Sequence, residues 1–230
     1  MATSAAAGPT GRRVRTRPIW WVMAAAAIGV AIVAVPPYLG FDAAFSTIPT
    51  DPNQPLHIVW LSLHAITGGL AMVTGPFQFL TALRRRRPRV HRALGRVYVG
   101  AVAAGAVMAL LSALVTTSGR VAQAGLLFLV VLWSYSLVRA FQAIRAGQIQ
   151  LHRIWMIRNY ALTFAAVALR AILVVGVLVR AVDPGAITFP QVYDIAVWGS
   201  FTLTLVVAEW FIVQTTLAPL ARATQRQEAA

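Results

Sequence analysis

Four histidines are the residues of this chain whose spacing could carry metal or haem chemistry. Two of them, His57 and His64, stand seven residues apart within one apolar run. Two turns of helix would place them on one face, about 10 Å apart along the axis. The other two, His91 and His152, each begin an apolar run and are each followed by an arginine. Two histidines that face each other from neighbouring helices could be the axial ligands of one b-type haem.

The positions of His91 and His152 also have a simpler interpretation. Histidine at the start of a membrane helix can lie among lipid phosphates, where the positive end of the helix dipole favours an anion. Because His57 and His64 share one helix, they cannot bind opposite faces of the same haem. They are candidate cofactor-binding residues or helix-packing residues. The sequence leaves these alternatives open, allows one b-type haem as cofactor, and does not identify a metal.

A polar stripe runs through the apolar segment that follows His152. Its members fall on one face of a helix: His152, Asn159, Thr163, Ala166 and Arg170. Arg170 lies well inside the apolar segment, where a charge is costly unless it is paired or hydrated. At a similar depth on another segment stands His64. Together, His64, Asn159 and Arg170 predict an interior polar site for an anionic or polar ligand.

One acidic residue, Glu209, lies inside an apolar segment rather than in a connecting loop or tail. Counted from the same end of the predicted helices, Glu209 and Arg158 are at similar depths, each roughly 9–12 Å inside. Burying either charge alone would be unfavourable. The sequence therefore predicts an ion pair between Arg158 and Glu209.

Long membrane helices are needed to position these residues. The chain of 230 residues is 59% hydrophobic and 11% charged, whereas soluble domains are about a quarter charged. A spanning helix requires about 20 mainly apolar residues, and in lipid it satisfies its own backbone hydrogen bonds. Six segments qualify: 19–39, 56–82, 91–116, 121–146, 152–180 and 193–217. The predicted fold class is therefore an all-α, polytopic membrane helix bundle.

The arginines predict the orientation of this bundle. All 20 basic residues are arginines, and all but Arg120, Arg170 and Arg180 lie toward one side of the predicted membrane. The positive-inside rule makes that side cytoplasmic. We therefore expect both termini in the cytoplasm and the protein in the plasma membrane. The membrane domain, 19–217, is flanked by a disordered basic tail, 1–18, and a second cytoplasmic tail, 218–230.

Composition and missing motifs exclude several classes of function. The net charge of +14 comes without a basic, aromatic-rich face outside the spans, so nucleic acid is not expected as a partner. Anionic lipid headgroups at the arginine-rich loops are expected instead. The absence of cysteine excludes disulfides, thiolate metal sites and c-type haem. No phosphate-binding glycine loop, HExxH or GxSxG motif is present, so we do not expect an enzyme.

Three functions remain compatible with the sequence. The first is a haem-binding or redox protein with a site at His91 and His152 near the cytoplasmic face. The second is a transporter or small-ligand binder that uses the interior site around Arg170. The third is a structural or assembly partner, because glycine stripes permit close helix packing within one chain, in a homo-oligomer, or against another membrane protein.

Two segments of the chain resemble a known family. They are HRALGRVY, from residue 91, and HRIWMIRNYA, from residue 152, with GPFQF at 75–79 and Arg170 also fitting the pattern. They resemble the bacterial predicted membrane protein family DUF2306, which has no established activity. A looser similarity is to transmembrane b-type cytochromes. The chain departs from that pattern, because it offers only one pair of histidines across two helices instead of two such pairs.

Overall fold

Seven α-helices make up most of the computed structural model, which describes residues 16–217. Six of the helices are long, and one short helix, α3, connects the second and third long ones. Short 3₁₀ turns occur at Pro36–Tyr38 and Ala43–Phe45, and the last helix continues into a π-helical turn, Val213–Leu217. The helices are α1 Thr16–Ala34, α2 His57–Gln78, α3 Thr81–Arg86, α4 Pro88–Leu114, α5 Arg120–Arg145, α6 Ile149–Val182 and α7 Phe189–Ile212.

The six long helices confirm the predicted fold class, since each is long and apolar enough to cross a membrane. Their boundaries differ from the prediction in two informative places. The second span ends at Gln78 rather than at residue 82, because the chain turns there and α3 begins. The last span begins earlier than predicted, at Phe189, where Thr188 and Gln191 form a capping box. Of the two predicted tails, residues 1–15 and 218–230 lie outside the described residues.

Four of the helices form the centre of the bundle. Around a closed ring, α2 packs on α4, α4 on α5, α5 on α6, and α6 on α2. Helices α4 and α6 run in the same direction and face each other across the centre. Outside this ring, α1 packs against α2 and α6, and α7 packs against α6 and α5. Polar residues on the inner faces of α4 and α6 are therefore brought together.

Close packing of α2 against α6 depends on Gly75 and Pro76. The ring of Tyr160 occupies the space where a side chain at residue 75 would begin, so only glycine fits there. Because Pro76 has no N–H, the carbonyl of Met72 loses its helical partner. The Tyr160 hydroxyl donates to that carbonyl at 3.3 Å. Trp20 of α1 donates to the carbonyl of Pro76 at 2.8 Å, which fastens α1 to the same place.

Candidate functional site

His57 fixes the loop before α2 to the helix bundle. Its Nδ1 accepts a hydrogen bond from the backbone N–H of Asp51 at 3.2 Å, and its Nε2 lies 3.1 Å from the hydroxyl of Ser112 on α4. The side chain is 1% exposed. Because both ring nitrogens already have partners, His57 has none free for a cofactor. The expectation that His57 belongs to a cofactor site is therefore not supported by its surroundings.

His64 lies two turns further along α2 and also contacts α4. Its Nδ1–H donates to the carbonyl of Gly105 at 3.0 Å, so the proton of the neutral ring is on Nδ1 and Nε2 can accept a hydrogen bond. The ring stands edge-on to Trp133, with centroids 6.2 Å apart. His64 is also within electrostatic range of Arg170. The two residues predicted to share an interior site therefore do lie near each other.

The contacts of α2 with α4 repeat at a seven-residue step. His57 meets Ser112, and His64 meets Gly105. One further step on both antiparallel helices places Ala71 opposite Tyr98, and both are fully buried in one core cluster. The next step places Gln78 opposite His91, and the Gln78 side chain does reach α4 at this level. The polar residues of the bundle are thus arranged in layers, about 10 Å apart along the helices.

The central layer contains a buried hydrogen-bond network around Asn159. The Tyr98 hydroxyl donates to Asn159 Oδ1 at 2.7 Å. Asn159 Nδ2 donates to the Trp133 carbonyl and to the Ser136 hydroxyl, both at 2.9 Å. The hydroxyl of Thr163 accepts from the Trp133 indole at 2.9 Å. Asn159 and Tyr98 are both 0% exposed, so this layer is closed and its polar groups are paired.

This network corrects the role expected for Asn159. We grouped Asn159 with His64 and Arg170 in a ligand site, but each atom of its amide group that can hydrogen bond is already engaged by protein. Its partners on α4 and α5 were not predicted. The seven-residue step from His91 to Tyr98, which matches the step from His152 to Asn159, was the signal that could have revealed the first of them.

The histidine-pair layer, which contains Gln78, His91, Ala140 and His152, lies one step nearer the starts of α4 and α6. His152 Nδ1–H donates to the carbonyl of Ala140 at 2.8 Å. His91 lies within electrostatic range of His152 and of Arg84. Within the described part of the chain, His91 Nδ1 and Gln78 Nε2 are buried and have no hydrogen-bond partner. His91 and His152 are therefore within electrostatic range of each other, beside two unsatisfied polar atoms, and a shared cofactor site at this pair stays a prediction.

The Arg170 layer lies on the other side of the central network. Arg170 donates one hydrogen bond, from Nη1 to the carbonyl of Ala166 on its own helix at 2.9 Å. Tyr38, Tyr193 and His64 lie within electrostatic range of the guanidinium. Its side chain is half-buried. No carboxylate within residues 16–217 forms an ion pair with it.

Arg158, twelve residues earlier on α6, is in the opposite situation. It forms a two-pronged ion pair with Glu209 of α7, with N–O distances of 2.5 and 2.9 Å. Its guanidinium also lies 4.7 Å from the centre of the Trp155 ring. The pair expected from matching depth is thus formed, and it joins α6 to α7.

A shallow, open cavity lies away from the predicted cofactor residues. It is about 340 Å³ in volume, lies at the turn between α6 and α7, and is lined by Ala186, Ile187, Gln191, Asp194 and Ile195. It is far from His91 and His152 along the bundle. Among residues 16–217, no group of three or more histidine or acidic side chains is arranged to hold a metal ion.

Comparison with known proteins assigns the family. Residues 61–212 match the family described as Predicted membrane protein (DUF2306). The chain belongs to this family. The match runs from the first turns of α2 to the end of α7, so it contains the four-helix centre and the Arg158–Glu209 pair.

The DUF2306 assignment makes this chain a multi-pass membrane protein and confirms the resemblance drawn from the segments at His91 and His152. No curated protein and no solved structure matches the chain. The looser similarity to transmembrane b-type cytochromes finds no support in these comparisons. Function has to be argued from the geometry of this DUF2306 protein alone.

Proposed function

We propose that this membrane protein binds a small organic anion at Arg170. One observation carries the proposal: a half-buried guanidinium within a membrane-spanning helix has a single hydrogen bond, to its own helix, and no acidic partner in the described residues. The haem and assembly hypotheses do not account for this unpaired charge.

A lone charge in lipid is energetically costly. An unpaired arginine within the hydrocarbon region is unfavourable by a few kcal/mol on insertion scales. Such residues face a cavity, water or a partner rather than lipid. Of the two acids on α7, Glu209 is already paired with Arg158, and Asp194 near the helix start forms no ion pair among the described residues. An anionic ligand would supply the missing negative charge at Arg170.

The side chains around Arg170 indicate which anion would fit. A guanidinium presents parallel N–H donors that match a carboxylate in a two-pronged geometry. Tyr38 and Tyr193 add two aromatic rings within electrostatic range of the guanidinium, and His64 Nε2 can accept a hydrogen bond. Tyr38 is held in place by a 2.9 Å hydrogen bond between its hydroxyl and that of Thr47. A guanidinium with aromatic neighbours suits a small organic carboxylate better than an inorganic ion.

The two sides of Arg170 along the bundle differ. The central network around Asn159 closes the bundle on one side of the site. Tyr38 and Tyr193 lie near the helix ends on the other side, next to the loops that carry Asp42 and Asp183. The anion would therefore enter from the end opposite the arginine-rich turn 84–89. Transport through the protein would additionally require the central network to open.

The proposal is tested by ligand-dependent thermal stability in detergent. The seven tryptophans give an intrinsic fluorescence signal for unfolding. Benzoate, butyrate and glutarate should raise the Tm of the unmodified protein, because a ligand that binds the folded state stabilises it. Arg170→Met should abolish the increase. The matched control is Arg180→Met, which removes a guanidinium from the same helix outside the site and should retain it.

Two results would contradict the proposal. One is an unmodified protein whose Tm responds to none of the three carboxylates more than to chloride. The other is an equal response of the Arg170→Met and Arg180→Met variants, which would mean that any binding is independent of the unpaired guanidinium.

Haem at the histidine pair is the second hypothesis, and its fit can be examined. In its favour, the Nδ1–H of His152 is fixed by Ala140, which leaves Nε2 for a metal. Against it, a porphyrin would extend into the next layer, where the rings of Tyr98 and Tyr160 stand 6.3 Å apart and fill the space. This packing counts against haem at the pair. Haem-dependent redox activity stays a prediction, tested by the optical spectrum of protein purified from haem-replete cells.

Location and partners complete the proposal. The arginine bias supports a plasma-membrane protein with its arginine-rich turn in the cytoplasm. Close contacts at Gly75 and Gly105 lie within the chain, so these glycines are used for internal packing. Binding of a second copy, or of another membrane protein as an assembly partner, stays an expectation from sequence.

A further inference from the structure

The histidine-pair layer, at the end of the bundle opposite Arg170, contains two buried nitrogen atoms without hydrogen-bond partners in the described chain. Gln78 Nε2 is a donor, and His91 Nδ1 is a donor in one tautomer of its ring. The seven-residue step places these two side chains opposite each other. A side chain at Gly95 would begin 3.3 Å from Gln78 Oε1, so Gln78 lies directly against α4 one turn from His91. Two unsatisfied polar groups thus share one small region.

Positive charge lies beside this region. The guanidinium of Arg84, on the exposed short helix α3, is within electrostatic range of His91, and so is the ring of His152. His91 and His152 are each the fourth residue of a long helix, where the positive end of the helix dipole adds to the field. The Nδ1–H of His152 is used by Ala140, which leaves Nε2 as an acceptor in the neutral ring, for example for a protonated oxygen of a ligand.

No acid among the described residues is available to balance these groups. The acids within residues 16–217 are Asp42, Asp51, Asp183, Asp194 and Glu209. The four aspartates belong to the loops and helix start at the opposite end of the bundle. Glu209 is bound to Arg158. A cation site is therefore disfavoured here, and an anion is the ligand that the donors and the field fit.

We propose that Gln78, His91, Arg84 and His152 form a second anion site, which binds a phosphate monoester. Several donors that approach from different helices suit a tetrahedral oxyanion with three free oxygens better than a planar carboxylate. Half-burial of His91 and exposure of Arg84 leave the site open at the end of the bundle. This is also the depth of lipid headgroups, so the phosphate belongs either to a soluble phosphate compound or to a phosphatidic acid headgroup.

The site is independent of the one proposed at Arg170 and can be tested separately. All measurements use the full chain carrying Arg170→Met, so that the first site does not contribute. Inorganic phosphate is titrated calorimetrically into detergent-solubilised protein. Loss of a charged or buried donor should weaken binding at least about tenfold in Gln78→Leu, His91→Leu and Arg84→Met. The control is Arg85→Met, which removes a neighbouring exposed guanidinium and should change the affinity less than about twofold.

A second measurement distinguishes the two sources of phosphate. Native mass spectrometry counts phosphatidic acid retained by protein taken from nanodiscs of phosphatidylcholine with phosphatidic acid. Inorganic phosphate binding that depends on Arg84 supports a soluble ligand. Retention of phosphatidic acid alone, with the same dependence, supports a lipid headgroup. Because Arg84 is exposed, the Arg84→Met substitution should leave the packing of the core unchanged.

Three results would overturn the second site. The first is binding of neither probe. The second is equal binding by the Arg84→Met and Arg85→Met variants. The third is a red protein from haem-replete cells whose Soret band disappears in His91→Ala, since His91 would then be a metal ligand rather than a donor to phosphate.

Discussion

Two parts of α6, the segment 158–163 and the turn at Arg170, satisfy their polar groups in different ways. In the segment 158–163, Arg158 pairs with α7, and Asn159 and Thr163 bond to α4 and α5. Two turns further along, Arg170 bonds only to the carbonyl of Ala166 on α6 itself. The two arginines are of one residue type on one helix, yet one has an acidic partner and the other has none in the described residues.

This difference distinguishes polar groups that hold neighbouring helices together from a charged group that is available to a ligand. In lipid, polar groups that find partners on neighbouring helices hold those helices together. A charged group without such a partner is unfavourable, and its retention is the signature expected of a functional site. Removing each polar group in turn and measuring the free energy of unfolding tests this difference.

The largest loss of stability is expected at the centre of the buried network. Asn159→Leu removes the acceptor of Tyr98 and the donor to Trp133 and Ser136, which leaves several buried groups unpaired. Interhelical hydrogen bonds contribute about 0.6–1.7 kcal/mol each in membrane proteins, so we expect a loss of about 2–4 kcal/mol. Reversible unfolding in mixed micelles, followed by tryptophan fluorescence, measures it.

The control for this variant is Thr202→Leu, at a lipid-exposed position of α7. It should be neutral. If both leucine variants unfold with the same free energy as the unmodified protein, the central network does not contribute to stability and the contrast with Arg170 fails.

Much of the architecture could be predicted from the sequence because lipid imposes strong rules. Long apolar segments have to become helices, which predicted all six spans. The helix break after Gln78 was missed, because apolar residues continue to Leu83 and hide the turn. The early start of α7 was missed because its capping residues, Thr188 and Gln191, stand among apolar neighbours.

The candidate sites were less predictable. Depth along a helix can be counted from the sequence, which is why the Arg158–Glu209 pair and the proximity of His64 to Arg170 were expected. Which helices lie next to each other in the four-helix centre cannot be predicted in this way. Asn159 was therefore assigned to a ligand site although its partners on α4 and α5 already satisfy it.

An intermediate loss of stability is expected when the Arg158–Glu209 ion pair is broken. Glu209→Gln leaves the guanidinium of Arg158 without a countercharge but keeps one hydrogen bond. Breaking a fully buried pair costs about 3–5 kcal/mol, and the 45% exposure of the Glu209 side chain reduces this to about 1–2 kcal/mol. The same unfolding assay measures the loss.

Charge reversal sharpens the test of this pair. The double variant Arg158→Glu/Glu209→Arg should recover at least half of the loss seen in either single reversal, because the attraction is restored. Asp194→Asn on α7, an acid without an ion pair in the described chain, is the neutral control. No recovery in the double variant would mean that the pair acts through packing on Trp155 rather than through charge.

The smallest effect on stability is expected at the unpaired arginine. Arg170→Met keeps a long apolar side chain and removes a charge that no described acid balances, so the unfolding free energy should fall by no more than about 0.5 kcal/mol or should rise. Arg158→Met, the same substitution on the same helix, should lose about 2 kcal/mol because it strands Glu209. Equal losses at the two positions would show that Arg170 has a structural role equivalent to that of Arg158. A stable Arg170→Met protein that no longer responds to carboxylates would instead place the role of this guanidinium in binding.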